Sequence, residues 1–158
     1  MLLNDGKGNF TDATDIIAPA LKNLGMVTDA LWMDINKDGK NDLIVVGEWM
    51  PIKVFINQGK VLADESSKYI NFPANGWWNK IYAGDFDGDG RSDLLWRNRS
   101  TGANVIWRSG NATMAMRITS VTNLNWNVVA VGDFDGDGCS DIFWRNVRSG
   151  ADTVWKKG

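Results

Sequence analysis

Histidine is absent from the 158 residues, which removes the commonest general base, every Ser-His or Cys-His nucleophile pair and the usual zinc and copper chemistry. Cysteine occurs once, as Cys139, so no disulfide closes within the chain. No apolar run approaches the roughly 20 residues of a membrane-spanning helix. The first residues, Met1-Leu2-Leu3-Asn4-Asp5-Gly6, have neither the basic start nor the apolar stretch of a secretory leader. An excess of one charge is missing too, with 17 Lys and Arg against 19 Asp and Glu and a net charge of -2. Neither nucleic acid nor membrane insertion is expected of such a balance.

What is present is a repeat. Three acidic segments, DINKDGKND at 34–42, DFDGDGRSD at 85–93 and DFDGDGCSD at 133–141, start 51 and 48 residues apart. The last two units run in register without a gap from 78–110 against 126–158, with 18 of 33 pairs identical. Matches outside the loop include Trp96 with Trp144, Arg97 with Arg145, Asn98 with Asn146 and Trp107 with Trp155. The whole unit repeats, not only its loop.

Apolar runs flanking each loop read as four short strands, A to D, with the acidic loop joining A to B. The first unit places them at 28–33, 43–47, 53–57 and 60–65, the second at 81–84, 94–97, 104–108 and 114–119, the third at 128–132, 142–145 and 152–156. A short turn at 14–21, broken at Pro19, is the only helical signal. Four strands on a period near 50 predict an all-β propeller blade. Residues 2–11 resemble the end of a C strand, a turn and a D strand, so the order reads D-ABCD-ABCD-ABC over one segment, 1–158. Strand D lies within 1–12, and the blades at 26–66, 78–122 and 126–158. Three blades do not close a ring. Six do, so a two-fold homodimer is expected, each chain's D strand finishing the other's last blade; a piece of a longer propeller is the other reading. Composition shifts near Asn75-Gly76, from seven Lys and no Arg before to seven Arg and three Lys after. A drifted natural array and a joining of two sources, chimeric or designed, both account for it.

Each loop carries Asp at position 1, Asp or Asn at 3, Asp at 5, Gly at 6 and Asp at 9. Alternate carboxylates on a tight turn converge on one point, and hard oxygens in that number select Ca2+. The candidate ligands are Asp34, Asn36, Asp38 and Asp42; Asp85, Asp87, Asp89 and Asp93; Asp133, Asp135, Asp137 and Asp141. Lys40, Arg91 and Cys139 at position 7 would add backbone carbonyls. An EF-hand needs Glu at position 12, where Val45, Trp96 and Trp144 stand, and helices where these flanks are strands. The first loop, with one fewer carboxylate, should bind most weakly.

These loops, with Ala83-Gly84-Asp85-Phe86 before and Asp93-Leu94-Leu95-Trp96-Arg97-Asn98 after, resemble FG-GAP or VCBS repeats, the calcium-binding propeller blades of integrin alpha chains and secreted bacterial proteins. The resemblance spans nearly the whole chain. It implies calcium ligation by the loop residues and an extracellular or cell-surface setting, but no single activity.

Nine tryptophans are many for this length. Trp96, Trp107, Trp144 and Trp155 recur in strands B and C, where packing between blades is expected. Trp77, Trp78 and Trp126 precede strand A and are the candidates for contact with a glycan or protein ligand. Arg97 and Arg145 are expected as contacts between blades. Nearly all the repeated carboxylates are committed to loops, so the expectation is a non-catalytic calcium-binding scaffold or binding module, with a lectin-like propeller as the alternative.

Overall fold

The computed structural model describes residues 1–70 and 76–157. A hairpin of β1 (Leu2–Asn4) and β2 (Phe10–Asp12) opens the chain, followed by α1 (Thr14–Ile17) and a 3-10 turn at Pro19–Leu21. The first repeat unit contains β3 (Met26–Met33), β4 (Asp42–Met50), β5 (Lys53–Asn57) and β6 (Leu62–Asp64), and α2 (Ser66–Tyr69) follows. The second contains β7 (Gly76–Gly84), β8 (Asp93–Asn98), β9 (Asn104–Trp107) and β10 (Ala115–Ile118), and the third β11 (Trp126–Gly132), β12 (Asp141–Asn146) and β13 (Asp152–Trp155). Every strand pairs antiparallel with the next in its unit. The first strand of each unit bulges ahead of its loop, at equivalent places between Val27 and Asp29 and between Trp78 and Lys80 in the first two units, and nearer the loop, between Val128 and Ala130, in the third.

The second strands are apolar on both faces because both faces are covered. In β4, Ile44 and Val46 join Leu94, Trp96 and Trp107 of the second unit, whereas Leu43 and Val45 pack with Phe55, Ala18 and Met1 on the other side. In β8, Leu94 and Trp96 face the first unit, whereas Leu95 packs with Val128, Ile142 and Trp144 of the third. The cores therefore lie between successive repeat units, as between propeller blades. The tryptophans of strands B and C sit there in tilted pairs, Trp96 with Trp107 at 4.6 Å and Trp144 with Trp155 at 5.1 Å between ring centres.

Polar ties cross the same junctions. Thr28 Oγ1 donates to the Trp78 carbonyl at 3.1 Å, and Tyr82 Oη to that of Val128 at 2.7 Å. Arg97, buried, donates to Gly102 O, Asn104 Oδ1, Val121 O and Trp126 O at 3.0 to 3.2 Å, and its guanidinium lies 4.9 Å from the Trp144 ring centre. The expected contact between units is thus present at Arg97. Arg145 is half exposed and pairs with Asp152 at 3.3 Å.

Two features depart from the sequence reading. β4 and β7 pair at Glu48 with Trp77 and Met50 with Gly76, so the first two units share one sheet. Trp77, Trp78 and Trp126 belong to β7 and β11 rather than to loops before them, because the first strand of each unit begins upstream of its bulge. Residues 2–12 form a two-stranded hairpin, as the reading of a strand end, a turn and a further strand implies, and among the described residues it pairs with no other strand. Asn75, one side of the compositional boundary, and Gly158, the last residue of the third unit, lie outside the described residues. No helix among them is long and apolar enough to cross a membrane.

Candidate metal centre: three acidic loops

The loops join β3 to β4, β7 to β8 and β11 to β12, and one hydrogen-bond scheme builds all three. The aspartate at position 1 is the hub. Asp85 accepts the amides of Gly88, Asp89 and Gly90 at 2.7, 3.1 and 2.8 Å. Asp34 accepts those of Lys37, Asp38 and Gly39 at 2.7, 3.1 and 2.8 Å. Asp133 accepts those of Gly136, Asp137 and Gly138 at 2.6, 3.2 and 2.9 Å. Asn36, Asp87 and Asp135 at position 3 accept the position-5 amide at 3.0, 3.3 and 3.3 Å. Position 5 then accepts the amide of Lys40, Arg91 or Cys139, each at 2.9 Å. Such a wrap requires left-handed backbone, and Gly39, Gly90 and Gly138 at position 6 have φ of 83°, 79° and 86°.

Position 9 is different. Asp42, Asp93 and Asp141 are fully buried. One oxygen of each accepts the position-2 amide, from Ile35, Phe86 or Phe134, at 2.9 to 3.0 Å. The other accepts an amide just past or at the end of the third strand, from Asn57, Ser109 or Lys157, at 2.7 to 2.8 Å. This carboxylate clamps the loop to its own sheet.

Carboxylate oxygens of Asp85, Asp87 and Asp89 lie within 4.8 Å of one another, as do those of Asp133, Asp135 and Asp141. Oxygens on opposite sides of a Ca2+ ion are separated by about 4.6 to 5.2 Å, so both groups fit it in spacing and in donor type. Asp34, Asp38 and Asp42 do not converge in this way among the described residues; here Asn36 takes the place of the carboxylate. Cations neutralise the loops from outside. Arg108 lies 3.4 Å from Asp87, Lys156 3.1 Å from Asp135, Lys157 3.0 Å from Asp137 and Lys40 3.1 Å from Asp38. The lysine tips are exposed and hold weakly, whereas the Arg108 Nε that faces Asp87 is buried.

The surroundings tune the acids in opposite directions. The amides of Gly138, Gly136 and Asp137 hold Asp133 below the usual carboxylate range. The Cys139 amide and the Lys157 ammonium do the same for Asp137. Burial pushes Asp93 up against the pull of its two amides, with Asp87 and Asp89 adding to the rise. Burial also raises the Cys139 thiol, with Asp137 adding to it.

Of the candidate ligand residues, Asp85, Asp87 and Asp89 converge, as do Asp133, Asp135 and Asp141, whereas Asp93, Asp137 and the first loop's set do not join such a group among the described residues. Lys40, Arg91 and Cys139 at position 7, expected to offer carbonyls, donate their amides to position 5. Two roles were not read from the sequence. The clamp of position 9 to the third strand depends on a fold contact that spacing does not reveal. The position-2 side chain had a signal, an apolar residue inside an acidic loop. Ile35 packs in the core between the first two units and Phe86 in that between the second and third. Trp78 and Trp126 are half-buried against those same cores, whereas Trp77 is exposed.

A search of curated proteins returned no match. The FG-GAP-like repeat family matches over residues 34–96 and again over 85–144, each time from one acidic loop into the second strand of the following unit. With cores between its repeat units and its loops built on one plan, the chain belongs to the FG-GAP-like repeat family.

Proposed function

We propose that the chain is a calcium-stabilised propeller segment acting as a non-catalytic binding module at the outside of the cell. The observation that carries this reading is the convergence of all-oxygen groups in loops built on one hydrogen-bond plan. In this reading Asp85, Asp87 and Asp89, with Asp133, Asp135 and Asp141, hold Ca2+ directly. The carbonyls of Arg91 and Cys139 complete the shells, and the ion supplies charge neutralisation and cross-linking rather than reactivity. The first loop, with Asn36, is the weakest site. Calorimetric titration of chelator-treated protein with Ca2+ tests this: two tighter sites and one weaker site are expected, with melting temperature rising as they fill. A heat-silent titration with an unchanged melting curve would remove calcium from the reading.

The proposed partner is a second copy of the chain. Its support is a pair of open edges, the separate β1–β2 hairpin with Leu2, Leu3 and Phe10 exposed, and the outer side of β13, where Val154 is exposed. Strand addition between copies covers both.

A further inference from the structure

At the opposite end of β4 from its acidic loop, two tryptophans lie against each other on the surface. Trp49 is 70% exposed and Trp77 39% exposed, with ring centres 4.8 Å apart and planes inclined by 59°. The run from Asp42 to Trp49 puts them roughly 20 to 25 Å from the first acidic loop.

Their placement is costly. The ladder between β4 and β7 pairs Glu48 with Trp77 and Met50 with Gly76, and skips Trp49 at a bulge. Trp49 has φ of 61°, the left-handed region that a bulky side chain rarely adopts. A buried large side chain would recover that strain through packing, but this one is turned to water. Bulges that re-aim a strained side chain recur beside functional sites.

The rim is polar. Glu48 sits across from Trp77, and one oxygen of its carboxylate accepts the Asn79 side-chain amide at 2.5 Å. Its other oxygen has no partner among the described residues. Flat indole faces attract the weakly positive C–H face of a sugar ring, and an acceptor at the edge complements the outward hydroxyl donors. The two rings touch each other, so no cage for a cation lies between them. They form an angled pair, in which each indole leaves its own outer face to stack on a separate ring of a chain of sugars.

We propose that Trp49 and Trp77 are a stacking site for a neutral oligosaccharide, with Glu48 accepting from its hydroxyls. This names a ligand class for the binding module proposed above and uses none of the loop carboxylates. The test is tryptophan fluorescence with neutral gluco-, galacto-, manno- and N-acetylglucosamine tetrasaccharides up to about 10 mM, since single-site stacking reaches the millimolar range. It is run with Ca2+ and with a chelator at a temperature where both forms remain folded. At least one sugar should shift the emission. Trp77→Ala should weaken that binding about 10-fold or more, Trp49→Phe should keep most of it, and Glu48→Gln should weaken it. Trp49→Gly is the sharpest variant, because it should raise the melting temperature by relieving strain while abolishing binding. Calcium titrations of these variants should match the parent, so failure of the metal reading and failure of this one are separable. Silence with every sugar overturns the proposal. So does sugar-independent self-association, seen by sedimentation, that Trp49→Gly abolishes, which would make the pair a contact between copies.

Discussion

Lys37 occupies position 4 of the first loop with φ of 65°, where the other loops place Gly88 and Gly136 at 75° and 79°. A side chain in this region costs about 1 kcal/mol, partly offset by the freedom that glycine gives the unfolded chain. Lys37→Gly should therefore stabilise the protein by about 0.5 kcal/mol in denaturant unfolding, and a lower midpoint would contradict the strain argument. Arg97 works in the other direction. Burial lowers its pKa, with Arg99 adding to the effect, yet oxygens engage it from both sides of a junction. Arg97→Met leaves those acceptors without a donor and should cost about 2 to 4 kcal/mol, whereas Arg145→Met, at an exposed site, should cost about 0.5 kcal/mol. Equal losses for the two would show that Arg97 is not the tie described.

Within the second loop the residues divide between metal and fold. Asp93→Ala removes a buried acceptor from two amides and should cost about 2 to 4 kcal/mol even in chelator. Asp87→Ala should leave the chelated protein's stability within about 0.5 kcal/mol and abolish its calcium response at that loop. Acid separates them as well. Asp133 and Asp137 are held below the ordinary value of 3.8, so their contribution is present above that value and lost as pH falls below it through their lowered folded values. Asp93 is held above 3.8, so its contribution has the opposite sign and is lost as pH rises through its folded value. Chelated protein should therefore lose stability below about pH 4, and Asp137→Asn should flatten that limb; an unaltered limb would place the titrating groups elsewhere. Eleven strands and the three loops were legible because apolar alternation and ligand spacing are local. The strand starts at Trp77 and Trp126 were not, because a bulge interrupts the alternation that would extend them upstream. Nor was the pairing of β4 with β7, which depends on how two units stack.

For the molecule as a whole, the stacking leaves cores between units and open strands at both ends of the stack. If a second copy completes the ring, native mass spectrometry in calcium buffer should show a species near 35 kDa, twice the 17.5 kDa chain, and removal of residues 1–12 should return it to the monomer. A monomer from the intact chain would overturn that partner. The junction at Arg97 carries a further consequence. Its guanidinium is held by three carbonyls, one side-chain amide oxygen and an aromatic face, with no carboxylate opposite among the described residues. Added electrolyte has no opposing charge to screen there, so the seam between the second and third units should hold alike in fresh water and in brine.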